Sequence, residues 1–138
     1  MHALNEILRV LTPAGVLIDL RPVLDEWPLE VSWRDGYREV GRSTDLEEPL
    51  QDDAAANASM GGIASTGRLQ RERQEFFPLY YYWDTPKEME EHIAEEWPDV
   101  IRVEERAWAE LRSAWATANA EARVRLRMQM LITRYQKT

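Results

Sequence analysis

The chain has 138 residues, a formal net charge of -8 at pH 7 and no cysteine. This length is enough for one hydrophobic core, so a single domain over residues 1–138 is predicted. The lack of cysteine excludes disulfides, thiolate metal sites and cysteine nucleophiles. The acidic balance disfavours binding to a nucleic-acid backbone, which requires clustered Lys and Arg. Neither a signal peptide nor an apolar run of roughly 20 residues is present, so we expect no membrane association and a soluble, cytoplasmic protein.

The first forty residues contain three segments with clear periodicity. Apolar residues at three- and four-residue spacing predict a helix over 2–11, which Pro13 and Gly15 end. The nearly continuous apolar run Val16–Leu20 predicts a short strand covered on both faces of a sheet. Alternating apolar residues on both sides of Asp35-Gly36 predict a β-hairpin over 29–41.

An alanine-rich segment follows the hairpin. Asp45 is suited to cap a helix that runs to Ser65, and Gly67 is suited to end it. Its predicted inner face consists of Leu46, Leu50, Ala54, Met60 and Ile63. Gly61-Gly62 does not indicate a phosphate loop, because no strand precedes it and no lysine accompanies it.

The second half of the chain alternates long strands with helices. Leu69–Trp83 predicts a strand in which Pro78 indicates an edge or a bend. Thr85-Pro86 predicts a capped helix start, and a second helix is predicted over 103–120. The alternation over 122–137 predicts a half-buried strand. Its predicted inner face consists of Val124, Leu126, Met128, Met130 and Ile132.

Two stretches resemble one enzyme family. The helix that ends in Arg9-Val-Leu-Thr-Pro-Ala-Gly15, followed at once by an apolar strand, resembles the passage from the fourth helix to the fifth strand of class I S-adenosylmethionine-dependent methyltransferases. Phe77–Trp97 is similar to the stretch after the penultimate strand in some small-molecule members. The resemblance implies an α/β fold, or α+β if the sheet is mostly antiparallel. It further implies a partial Rossmann-like sheet with an inserted β-hairpin and a C-terminal antiparallel strand pair.

The same resemblance has a consequence for the cofactor. In the family, a glycine-rich loop after the first strand and an acidic residue after the second bind S-adenosylmethionine, and both would precede Met1. No catalytic residue and no cofactor-binding residue is therefore assigned. The isolated chain is expected to hold no cofactor, and S-adenosylmethionine is expected only if a partner supplies the other half.

Five residues form the candidate ligand pocket: Asp19, Arg21, Trp33, Tyr80 and Tyr82. Asp19 and Arg21 lie at the carboxyl end of a strand, where open α/β sheets place ligands, although a turn-stabilising pair is the alternative. The three aromatic residues suit an apolar pocket, although core packing is the alternative. His92 shares a helix with several glutamates, but this spacing favours a solvated acidic face, so no metal site is predicted.

These observations lead to three hypotheses. The first is a methyltransferase-like remnant that is not catalytic alone and acts as a homodimer or a protein-interaction module, because a second copy would cover the apolar strand over 16–20. The second is one part of a split or truncated methyltransferase for a small molecule, completed by a separate cofactor-binding polypeptide. The third is a free-standing module for a small ligand. Whether the chain is part of an enzyme stays open among them.

Overall fold

A computed structural model describes residues 2–138 of the chain. The helices are α1 His2–Val10, α2 Glu47–Ser65, α3 Pro86–Glu96 and α4 Glu105–Thr117. The strands are β1 Val16–Val23, β2 Pro28–Trp33, β3 Gly36–Arg42, β4 Thr44–Asp45, β5 Leu69–Trp83, β6 Ile101–Arg102 and β7 Arg123–Lys137. The fold is mixed α/β with mostly antiparallel strand pairing, which confirms the predicted class in its α+β form.

The strands pair in the order β1-β7-β2-β3, β5 also pairs with β7, and β4 pairs with β6. The predicted hairpin is confirmed as β2 and β3, which pair from Trp33 opposite Gly36. Its two turn residues are therefore Arg34 and Asp35, one position earlier than predicted. Gly36 instead begins β3 beside the Trp33 indole, whose Nε1 would lie 3.4 Å from a Cβ at this position.

The chain divides into two compact units. Unit 1 contains the described residues up to Val23, together with Gln51–Phe77 and Met130–Thr138, and unit 2 contains Leu24–Leu50 and Pro78–Gln129. The long strands β5 and β7 each contribute residues to both units. The expectation of one domain over 1–138 stays a prediction.

Unit 1 is built around a small apolar core. This core consists of Leu8, Met60, Ile63, Leu69 and Tyr135. α1 ends at Val10, and a turn over 12–15 follows it. A Cβ on Gly15 would lie only 2.7 Å from the Thr12 carbonyl oxygen, so this turn requires glycine. Lys137 donates from Nζ to the carbonyl oxygens of Leu8 and Leu11 at 2.6 and 2.7 Å, which satisfies acceptors at the carboxyl end of α1.

Unit 2 has the larger core. Its most buried members include Trp27, Leu29, Val31, Met89, Leu111, Val124 and Leu126. The predicted start of α3 is confirmed, because Thr85 Oγ1 accepts a hydrogen bond from the Glu88 amide at 3.2 Å and Pro86 follows the cap. Glu88 in turn accepts from the Asp84 amide at 3.1 Å, so the reciprocal contact lies one residue before the usual position.

Three predictions about local environment are wrong. Asp45 lies in β4, where its carboxylate accepts from the Glu26 amide, and α2 begins only at Glu47. Leu50 is exposed, whereas Met60 and Ile63 of the same predicted face are buried. The strand predicted over 16–20 is covered on one face only, because its exposure alternates along all of β1.

β7 also departs from the predicted pattern. Val124, Leu126 and Met128 are buried as predicted, but beyond them the buried residues are Leu131, Thr133 and Tyr135. The buried positions thus change from even to odd along a single strand. The reason is that the first half of β7 contributes to the core of unit 2 and the second half to the core of unit 1.

Candidate functional site

A buried carboxylate of unit 2 faces two arginines. Glu30 on β2 has 0% of its surface exposed, and it lies directly opposite Arg125 of β7 in the antiparallel register. Arg125 Nε donates to Glu30 Oε1 at 2.7 Å, and Arg127 Nη2 lies 3.4 Å from Glu30 Oε2. Two cations therefore share one anion, which leaves this cluster with a formal charge of +1.

Three tyrosines hold Arg125 in place. Its Nη1 donates to Tyr82 Oη at 3.0 Å, and its guanidinium lies 4.3 Å from the ring centroid of Tyr80 and 4.7 Å from that of Tyr37. These distances are typical of cation–π contacts. A carboxylate, a phenol and two rings thus fix the position of Arg125.

The protonation of Arg125 follows from the same contacts. Burial alone would lower the pKa of Arg125, but the hydrogen bonds with Tyr82 and Glu30, together with attraction to the Glu30 carboxylate, outweigh burial and raise the pKa above its ordinary value. The group is therefore charged throughout the physiological range.

Arg127 has a different environment. Its side chain is 33% exposed, its contact with Glu30 is long, and its buried Nε has no hydrogen-bond partner among residues 2–138. It borders a cleft of about 250 Å³ in unit 2. The cleft is lined by Asp25, Trp27, Pro28, Arg42, Pro78, Arg127 and Gln129. Of these lining residues, Arg42 is also paired: its Nη2 lies 3.1 Å from Glu39 Oε1, and its Nη1 donates to the Glu26 carbonyl oxygen at 3.2 Å.

In unit 1, Asp19 and Arg21 of β1 form a pair. Arg21 Nε lies 3.2 Å from Asp19 Oδ2, and Nη2 of the same guanidinium donates to Asn57 Oδ1 of α2. Nη1 is buried and has no hydrogen-bond partner within the described chain. The contact with Asn57 connects the end of β1 to α2, in addition to the local pairing with Asp19.

The other face of β1 is apolar and open. Val16, Ile18 and Leu20 are 37%, 49% and 55% exposed. Beside them lies a cleft of about 260 Å³ lined by Ile18, Arg73, Glu75, Ile132 and Arg134. Arg73 pairs with Glu75, and Arg134 pairs with Glu72. We call the exposed residues of β1 and this cleft the open face of unit 1.

The five predicted pocket residues belong to two different units. Asp19 and Arg21 contact each other in unit 1. In unit 2, the ring centroids of Tyr80 and Tyr82 lie 6.2 Å apart, and both rings face Arg125. Trp33 packs against the unit 2 core and does not join the two tyrosines. A common pocket for the five residues stays a prediction.

No sequence motif predicts Glu30, Arg125, Arg127 or Arg42 as site residues. A signal was present, because charged residues alternate with apolar residues in Leu29-Glu-Val31 and in Arg123-Val-Arg-Leu-Arg127. Alternation predicts that these charges share a face away from the core. It does not predict which charges meet, since that depends on the register of two strands 95 residues apart.

His92 has aromatic neighbours in place of the predicted solvated surroundings. Its ring centroid lies 4.9 Å from that of Trp97 and 5.4 Å from that of Trp83.

Within residues 2–138, no group of three or more His, Asp or Glu side chains has an arrangement that could hold a metal ion. In that same range, every helix is too short or too polar to cross a membrane.

No protein-family model, no curated protein and no solved structure matches this chain.

Proposed function

We propose that this chain is a methyltransferase-like association module that forms a homodimer through the open face of unit 1. The exposure of Val16, Ile18 and Leu20 on one face of β1 carries the proposal. Three adjacent apolar side chains on a sheet face gain free energy when a partner removes them from water, at about 25 cal/mol per Å² of apolar surface. A contiguous apolar face of this kind is typical of a protein–protein interaction site.

The charges around the cleft favour a second copy as the partner. The apolar residues Ile18 and Ile132 line it together with Arg73, Glu75 and Arg134, so its border carries both signs of charge. An interface with two-fold symmetry brings a surface against itself, which requires a patch that can complement its own charges. A border of mixed arginines and glutamates meets this requirement, whereas a border of one sign would repel its copy.

The order of elements supports the family part of the proposal. α1 leads through the Pro13-Ala-Gly15 turn directly into β1, in the order that the resemblance implies. The resemblance also implies that the last two long strands are antiparallel. Glu72 of β5 contacts Arg134 of β7, while Asp84, directly after β5, contacts Arg123 of β7, so the two strands run in opposite directions.

The oligomeric state tests the proposal. We expect light scattering to give a dimer for the native chain at about 50 μM and a monomer for Ile18→Glu, because a carboxylate at the centre of the interface would lose its hydration. Val10→Glu is the matched control: Val10 is 66% exposed on α1, so the same added charge should leave the dimer intact. A native chain that is monomeric at this concentration would refute the proposal.

A second candidate is one half of a split methyltransferase. It is favoured by the position of β1 at the end of the strand order, where one edge of the strand has no partner strand within residues 2–138. A separate cofactor-binding polypeptide could add a strand along this edge. Calorimetry with S-adenosylmethionine separates the candidates. We expect no binding by the isolated chain, and binding that appears only after a second polypeptide is added would favour the split enzyme.

A further inference from the structure

We propose that the cleft beside Arg127 in unit 2 binds a small carboxylate, whose oxygens accept hydrogen bonds from the Arg127 guanidinium. The site lies outside the open face of unit 1 and does not depend on the association proposed for that face. Three observations support the proposal: the weak contacts of the Arg127 guanidinium, the net positive charge of the Glu30 cluster and the residues that line the cleft.

The partnering of Arg127 leaves donors available. A guanidinium carries five N–H donors in a planar fork. Nη2 of Arg127 makes only a long contact with Glu30, at 3.4 Å, and 33% of the side chain is exposed where it lines the cleft, so its outer N–H groups remain accessible. Accessible guanidinium donors that lack a short protein contact can form charge-assisted hydrogen bonds with an anionic ligand.

The charge balance determines the sign of the ligand. Glu30 accepts its short hydrogen bond from Arg125, so its single negative charge is shared between two guanidinium groups. Arg42 also lines the cleft, where its charge is partly compensated by Glu39 at 3.1 Å, and the Gln129 amide adds neutral donors. An anion in the cleft would therefore meet the Arg127 guanidinium, whose planar fork suits a planar carboxylate.

The remaining lining favours a carboxylate with an apolar body. Trp27, Pro28 and Pro78 supply apolar walls, and the volume of about 250 Å³ limits the ligand to a small molecule. Asp25 also lines the cleft, and its negative charge would repel a doubly charged phosphate more than a singly charged carboxylate. Benzoate has the required charge, flat carboxylate and apolar body, so it is a suitable probe.

Titration with benzoate, followed by NMR of the ¹⁵N-labelled chain, tests the site. We expect saturable shifts of the Trp27 indole and Gln129 amide signals, with a dissociation constant on the order of 1 mM. Arg127→Gln should weaken binding at least tenfold. Arg127→Lys keeps the charge beside Glu30 but loses the planar fork, so it should give intermediate binding.

Two further variants separate the site from general charge effects and from misfolding. Arg42→Gln removes the second cation without touching Glu30, and it should weaken benzoate binding several-fold. Arg123→Gln is the matched control, since Arg123 is on the same strand but pairs with Asp84, and it should leave binding unchanged. The proposal is overturned if the native chain shows no saturable shifts, if Arg127→Gln and Arg123→Gln bind benzoate equally, or if inorganic phosphate binds more tightly than benzoate.

Discussion

Glu30 and Arg125 lie directly opposite each other on β2 and β7, and they form an ion pair in which the carboxylate is completely buried. The residues on either side of Glu30, Leu29 and Val31, are buried in the core of unit 2. A slip of one residue between the strands would bring a charge to the core face and an apolar residue to the Arg125 face. The pair therefore favours one register of β2 against β7 over its neighbours.

Neutralising this carboxylate should destabilise the fold. In Glu30→Gln, the buried Arg125 and the nearby Arg127 would lose the anion that they share, and removing one partner of a buried ion pair typically costs about 3 kcal/mol or more. We expect the free energy of unfolding in urea to fall by about that amount.

Glu110→Gln provides the control for this measurement. Glu110 pairs with Arg106 across one turn of α4, where both side chains are largely exposed. Exposed pairs of this kind contribute about 0–1 kcal/mol, so this variant should unfold at nearly the native urea concentration. Equal losses in the free energy of unfolding for the two variants would show that the buried pair stabilises the fold no more than the exposed pair does.

Two glycines should respond to substitution with opposite signs. A Cβ on Gly41 would lie 3.0 Å from the Ala107 Cβ, so Gly41→Val forces β3 and α4 apart and should cost about 2 kcal/mol. Gly62 lies inside α2, where a Cβ would project into open space, so Gly62→Ala should add up to about 1 kcal/mol through helix propensity. Thermal unfolding of both variants checks the two signs, and a loss of stability in Gly62→Ala would contradict the second.

Local signals explain which parts of this fold the sequence predicts. The start of α3 depends on Thr85 and Pro86, whose effects act within one turn, and the predicted start is confirmed. The bounds of β5 are likewise those predicted from its composition. By contrast, the change of buried positions between Met128 and Leu131 depends on which core each half of β7 meets. No local pattern encodes that choice.

The candidate site was harder to predict than the fold for the same reason. Aromatic character marks Tyr80 and Tyr82 as candidate site residues, but both rings lie beside Arg125, to which no motif points. Trp33 lies on the same strand as Glu30 but three positions away, which by alternation places it on the opposite face. Composition identified suitable residue types, whereas strand register determined which of them meet.

The cap of α3 offers a local test of stability. Thr85→Ala removes the hydroxyl that accepts from the Glu88 amide, and we expect a loss of about 1 kcal/mol in the free energy of unfolding. Thr117→Ala is the control, because Thr117 Oγ1 donates back to the Ser113 carbonyl oxygen within α4, a contact with little net stabilisation. A cost for Thr117→Ala as large as that for Thr85→Ala would contradict the capping argument.

Association through the open face should also make thermal stability depend on concentration. A dimer that dissociates on unfolding is stabilised by mass action, so the Tm of the native chain should rise between about 2 μM and about 200 μM. The Tm of Ile18→Glu should stay constant over this range, since that variant is expected to be monomeric. A constant Tm for the native chain would count against the dimer.

Alkaline pH should destabilise unit 1 through Tyr135. Burial raises the pKa of Tyr135 above its ordinary value of 10.0, and the nearby Asp19 carboxylate raises it further, although Arg71 and Arg21 oppose this. Above about pH 10 the unfolded chain therefore loses the phenolic proton more readily than the folded chain, so stability falls as pH rises. Tyr135→Phe removes this proton, and its urea midpoint should decrease less than that of the native chain between about pH 8 and about pH 11. Because every other titrating group is common to both proteins, parallel decreases would show that Tyr135 makes no contribution.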